Sequence, residues 1–180
     1  MRQALPPRST RVRTLLAALG VGSLAALAVA LVAQHAFGVE PCAWCVIQRG
    51  VTIAIAVVAI TGAVAAGRSP RAAGAAAGAL LLALAAGGVL AAWHQHTVAA
   101  RQLSCAFTWA DRTLSSLQWD AWWPAMFRVG ATCADAAQAR LLGLPFEAWS
   151  GAWFALVALG AIAAIGATVR SRRVSGPATA

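Results

Sequence analysis

Four cysteines are the residues best suited to chemistry in this chain, and two stand three apart in Pro41-Cys42-Ala43-Trp44-Cys45. That pair runs directly into a long apolar stretch, Val51 to Gly67. Two thiols at this spacing can close and reopen a strained disulfide. If a helix begins near Cys45, the unsatisfied N–H groups of its first turn favour the thiolate over the thiol. Arg49 follows four residues on, one turn away and on the same face. Its fixed positive charge would support a thiolate and could hold an anionic partner, and Gln48 offers a donor beside it. Cys105 and Cys133 lie far along the chain in a polar stretch, where they can pair with each other. Two blander readings compete: a structural zinc site, and disulfides that only hold shape. Zinc sites usually want two close Cys or His pairs, whereas 27 residues separate Cys105 from Cys133 and His94 and His96 stand elsewhere. No metal is expected. Cys-x-x-Cys closes so short a loop that it makes a poor staple. Arg49 taken alone reads as an anchor reaching toward water; its register with Cys45 is what raises it.

The elements that must position these residues are membrane helices. Of 180 residues, 61% are apolar and 11% charged. Four uncharged runs at about 15–33, 50–67, 72–93 and 148–169 hold 19, 18, 22 and 22 residues. Roughly 20 are needed to cross a hydrocarbon core, and in lipid the backbone must satisfy its own hydrogen bonds, so each run predicts a helix. A soluble bundle would carry charge on its outward faces, and these runs carry none. The first run also resembles a signal peptide, but its apolar core exceeds the usual ~7–15 residues, so it is read as a retained span. The expectation is an all-α membrane protein, a single domain. Its four-helix transmembrane bundle has helices at about 15–33, 46–67, 72–93 and 148–169. The tight turn Arg68-Ser69-Pro70-Arg71 makes helices two and three antiparallel neighbours, and Gly74 and Gly78 allow close approach on helix three.

Charge orients the bundle. All 14 basic residues are Arg, and nine occupy three segments: four before the first run, Arg68 and Arg71, and Arg170, Arg172 and Arg173. The other five balance the five acids, so the net charge of +9 arises from segments that alternate on one side. Positive-inside logic places both termini and the middle turn in the cytoplasm. The basic balance is a topology signal, and nothing argues for nucleic acid. Two loops, about 34–45 and 94–147, then face outward and hold every cysteine, in a compartment where disulfides persist. The second loop carries Leu114, Leu117, Trp119, Trp122, Trp123, Met126 and Phe127, which predicts a short interfacial helix anchored at the lipid boundary. One dithiol near water and one at the bilayer edge make a two-stage relay. The most available two-electron acceptor in lipid is a quinone.

At this point the chain resembles the DsbB family, membrane proteins that reoxidise a periplasmic thiol oxidase using quinone. The likeness rests on Pro41 to Cys45 followed by Gln48-Arg49, on four helices with a long second loop, and on His96-Thr97. It also rests on Cys105-Ala106-Phe107, and on Cys133-Ala134 leading to Leu142-Gly143-Leu144-Pro145. The resemblance implies an inner-membrane thiol:quinone oxidoreductase with ubiquinone or menaquinone as cofactor. It implies a DsbA-like thioredoxin-fold oxidase as partner, besides the quinone pool and the bilayer. That partner would attack a Cys105–Cys133 disulfide and form a mixed disulfide with Cys105. Cys133 would then attack Cys42, leaving Cys45 as a free thiolate toward the quinone. Arg49, His96 and Gln48 become the quinone-binding residues. Two alternatives stand beside this reading. One is a quinone reductase of the vitamin K epoxide reductase type, whose cysteine pairs come in the reverse order. The other is a non-catalytic scaffold with structural loop disulfides.

Overall fold

The computed structural model describes residues 8–101 and 108–174, with the side chains of 8–9 and 170–174 left aside. Four long helices form the bundle: α1 Arg8–Phe37, α2 Ala43–Ala65, α3 Pro70–Thr97 and α8 Phe146–Val174. All four are long and apolar enough to cross a membrane. The architecture is therefore an all-α membrane bundle. Each helix outruns its apolar core. Residues 8–14, with Arg8, Arg11 and Arg13, are the first turns of α1 instead of a tail. Long Arg stems let a helix continue past the hydrocarbon while the charged heads reach water. Likewise α3 continues through His94, Gln95 and His96, so these residues have helical register where a loop was expected. The second helix starts at Ala43 with Cys42 as its N-cap, about two turns before the uncharged run begins at 50 and three residues before the expected start at 46.

Packing follows side-chain size. The most extensive contacts run between α3 and α8, and between α1 and α2. A Cβ on Gly74 would lie 2.8 Å from Thr168 Cγ2, and one on Gly78 would lie 2.7 Å from Ile165 Cγ1. The small residues of α3 thus let α8 come close, as van der Waals packing in lipid requires. Leu16, Ile55, Leu81, Phe154 and Val157 fill the middle. The hydroxyls buried there bond within their own helices: Ser23 Oγ donates to Leu19 O at 2.8 Å and Thr168 Oγ1 to Ile165 O at 2.7 Å.

The segment between α3 and α8 is built of short pieces. After a 3-10 turn at Ala99–Arg101 come α4 Trp109–Leu117, α5 Trp119–Trp122, α6 Pro124–Phe127 and α7 Cys133–Gln138. A two-residue hairpin, β1 Arg140–Leu141 with β2 Leu144–Pro145, leads into α8. Thr108 and Thr132 cap α4 and α7 by accepting from Asp111 N and Asp135 N. The expected single interfacial helix is therefore three short ones. Gln118 breaks it in the left-handed region at φ 49°, and Pro124 removes a backbone donor. Its aromatic residues divide between two faces. Trp122 and Trp123 point outward, while Leu114 and Met126 are buried and Trp119 sits over Gly50 of α2 with no room for a side chain there.

Candidate functional site

The outer end of α2 holds the first cysteine pair. Pro41 favours an extended residue before it, and Cys42 takes φ −86°, ψ 172° as the N-cap, its carbonyl receiving Val46 N at 3.1 Å. Cys45 is then the third residue of the helix. Both cysteines are free, with sulfurs 3.2 Å apart. Cys42 is fully buried. Its hydrogen bond to Cys45, and then its burial, push the Cys42 thiol above its ordinary range.

Around Cys45 the buried polar groups reach between helices. Gln95 Nε2 of α3 donates to Cys45 Sγ at 3.2 Å, and Gln48 Nε2 donates to Gln95 Oε1 at 2.7 Å. Arg49, only 7% exposed, donates from Nη1 to Gln34 Oε1 of α1 at 2.5 Å and to Met126 O at 2.9 Å. Arg49 thus does more than reach for water. It ties α2 to α1 and to the outer segment, and both of these bonds leave from Nη1 among the five donors of the fork.

A cavity of about 260 Å³ opens beside this network, bounded by α1, residues 39–41, α2 and the start of α8. Cys45, Gln48, Arg49 and Gln95 line one wall, and Ala30, Ala33 and Phe154 are among its apolar walls. Mostly apolar lining with a few convergent polar groups is the usual form of a small-molecule site. Three buried polar atoms of lining residues, Glu40 Oε2, Glu147 Oε2 and Trp153 Nε1, have no hydrogen-bond partner among the described residues. The volume lies just below the ~300–1,000 Å³ of whole-ligand pockets. That suits the head group of a lipid-soluble molecule whose tail stays in the bilayer, and the spare donors suit carbonyl oxygens.

Cys133 opens α7, is fully buried and is disulfide-bonded. Cys105 lies outside the described residues. Cys133 and Cys42 belong to one buried cluster with Ala43, Val46, Ala110 and Ala136. Backbone bonds hold the two loops together there, since Gly130 N and Ala131 N both reach Pro41 O, at 3.0 and 3.3 Å. Arg128 adds an ion pair to Glu40 at 3.4 Å. Cys42 therefore has Cys45 on one side and the Cys133 region on the other.

Of the residues singled out from sequence, Cys45, Gln48 and Arg49 line the cavity. His96 is not among the lining residues; its half-exposed ring reaches Glu147 Oε1 from Nδ1 at 3.2 Å. Sequence reasoning passed over Gln34, Gln95 and Glu147. A glutamine within or beside an apolar run, and an acid one residue ahead of one, were available signals, because burying such groups is costly without partners.

Comparison with known proteins adds a family. The sequence profile of Disulfide bond formation protein DsbB matches residues 12–164. Disulfide bond formation protein B of Herminiimonas arsenicoxydans is 33% identical over 149 residues, covering 82% of this chain and 90% of the relative. The protein of that name from Burkholderia thailandensis is 35% identical over 148 residues, covering 82% and 85%. Disulfide bond formation protein B 2 of Burkholderia lata is 36% identical over 167 residues, covering 90% and 91%. No solved structure matches the chain significantly.

Proposed function

Because the chain belongs to the DsbB family of membrane proteins for disulfide bond formation, we propose that it passes electrons from a periplasmic DsbA-like oxidase to a membrane quinone. The two cysteine pairs carry them, and new disulfides result. The observation that carries this reading is the placement of the first pair. Cys45 faces a cavity at the outer end of the bundle, and Cys42 packs in the cluster that holds Cys133.

The reduced partner's thiolate attacks a Cys105–Cys133 disulfide at Cys105, and Cys133 leaves as a thiolate. Cys133 then attacks the oxidised first pair at Cys42. That step breaks the Cys42–Cys45 bond and leaves Cys45 with the electron pair. Gln95 donates a hydrogen bond to the charged sulfur, and Arg49 supplies positive charge along the same helix face. A quinone bound in the cavity supplies a two-electron acceptor. Arg49 and Gln48 would hold its oxygens, and the apolar walls would keep bulk water from the sulfur. The partner's second thiolate then releases Cys105, and the partner leaves with its new disulfide. Cys105 attacks Cys133, which re-forms the Cys105–Cys133 bond and frees Cys42. Once the Cys45 electron pair has passed on, Cys42 closes on Cys45 and the first disulfide re-forms. Transfer depends on adjacent sites instead of tight partner binding, so a transient complex suffices.

The inner membrane, with both termini cytoplasmic and both cysteine loops periplasmic, is the location that fits. It rests on the three Arg-rich segments sharing one side. Purified protein given a short-chain ubiquinone analogue and reduced DsbA-like partner should reduce one quinone per disulfide made. Absence of quinone consumption in that assay removes the reading.

A further inference from the structure

Resting on that reading, we infer that Glu147 and His96 form a proton path from outside water into the acceptor cavity, with Glu147 the catalytic acid.

Three observations meet here. Glu147 is 3% exposed, lines the cavity that Cys45 faces, and leaves Oε2 without a partner among the described residues. A buried carboxyl oxygen with nothing to bond is costly unless something completes it. Its other oxygen, Oε1, meets His96 Nδ1 at 3.2 Å. The His96 side chain is 59% exposed, against 2% for that of Glu147. One residue therefore touches water, the next touches the cavity, and a hydrogen bond joins them. The fold fixes both ends: His96 sits in the last turn of α3 and Glu147 in the first turn of α8, and these two helices pack closely. The other charged or titratable groups facing the cavity are Glu40, Cys45 and Arg49. Arg49 is tied to Gln34 and Met126 O. Glu40 also leaves Oε2 without a partner among the described residues, but its Oε1 pairs with Arg128, a guanidinium that does not give up its proton, so only Glu147 joins cavity to water through a histidine.

The chemistry requires such a path. Oxidation of the Cys42–Cys45 dithiol to a disulfide yields two electrons and two protons. A quinone that takes both electrons to become the quinol takes up two protons on its oxygens. Cys42 is not among the residues lining the cavity, so its proton has no direct route to the acceptor. The cavity needs a separate source. Glu147, as the acid, gives its Oε2 proton to the acceptor oxygen and becomes a carboxylate. The His96 imidazolium returns a proton from Nδ1 to Oε1, water restores His96, and once the carboxyl has turned the same relay supplies the second proton. The thiol protons enter that same water, so atoms and charge balance over a turnover. His96 acts through Glu147 and supports the site without touching the acceptor.

The test uses the full chain in detergent with the short-chain ubiquinone analogue. Glu147→Gln should lower kcat for quinone reduction by about 10²-fold, the low end of general acid catalysis. Quinone affinity, read by tryptophan fluorescence quenching, should stay within about twofold, since most of the cavity wall is untouched. Redox-induced infrared difference spectra of the wild type should show a carboxyl band that is missing in Glu147→Gln. His96→Ala, at an exposed position that tolerates truncation, should also turn over slowly and recover with added free imidazole. A wild-type kcat in either variant overturns the path. So does a His96→Ala defect that imidazole leaves unchanged, or an infrared spectrum without the carboxyl band. If the wild type itself consumes no quinone, the function proposed above fails instead.

Discussion

The two halves of the bundle bury polar groups in opposite ways. In the half nearer the 68–71 turn, hydroxyls such as Thr168 bond to carbonyls of their own helix, and helices meet through Gly and Ala. At the outer end, Gln34, Gln48, Arg49, Gln95 and Glu147 are all buried, and every bond they share crosses between elements. Packing alone explains the first half. The second half spends desolvation on five polar side chains, two of them ionisable, for which apolar residues would pack as well. That asymmetry puts the costly groups where the proposed function needs them, and an intramembrane ionisable group is a functional-site hypothesis by default.

The largest effect that would test this division belongs to Cys45. Cys45→Ser should abolish quinone reduction while a DsbA-like partner is still captured as a mixed disulfide, visible on a non-reducing gel. Retained turnover would mean that the outer polar half is not the acceptor end. Arg49→Ala should be next. It removes charge-assisted bonds worth about 1.5–3 kcal/mol, or roughly 10–100-fold in quinone KM. Arg49→Lys should recover only part, because one ammonium cannot reproduce the fork that serves Gln34 and Met126 O.

Smaller changes sharpen the contrast. Gln95→Leu removes the donor to Cys45 Sγ and leaves Gln48 Nε2 without its acceptor. A hydrogen bond worth about 0.5–1.5 kcal/mol predicts a roughly two- to tenfold slower alkylation of Cys45 in the reduced protein. In the apolar half, a Cβ on Gly78 would lie 2.7 Å from Ile165 Cγ1 and 3.2 Å from Ala161 O, while one on Gly166 would meet nothing within 4 Å. Gly78→Ala should therefore destabilise by about 1–3 kcal/mol in thermal melts. Gly166→Ala should be neutral or stabilise by up to about 1 kcal/mol. Both variants should leave quinone KM unchanged.

How much of this was legible beforehand follows the same division. Span count depended only on apolar length, so four helices and their antiparallel turn at 68–71 were readable. Helix ends were not, because Arg stems and the His94–Gln95–His96 turn continue as helix beyond the hydrocarbon run. The Cys-x-x-Cys pair and Arg49 could be placed by register within one helix. Gln34, Gln95 and Glu147 could not, since their meaning lies in contacts between helices far apart in sequence. His96 was singled out by family resemblance as a quinone ligand, and only its contact with Glu147 suggests an indirect role. The three-piece outer segment was hidden because Gln118 adopts a left-handed conformation that its residue type does not announce.

Cross-linking with a photoreactive ubiquinone analogue, followed by peptide mapping, addresses the division most directly. The label should fall on 45–52 of α2 and 146–154 of α8, and excess unlabelled quinone should remove it. Label concentrated on the Gly-lined contact of α3 and α8 around Gly74 and Gly78 would contradict the account.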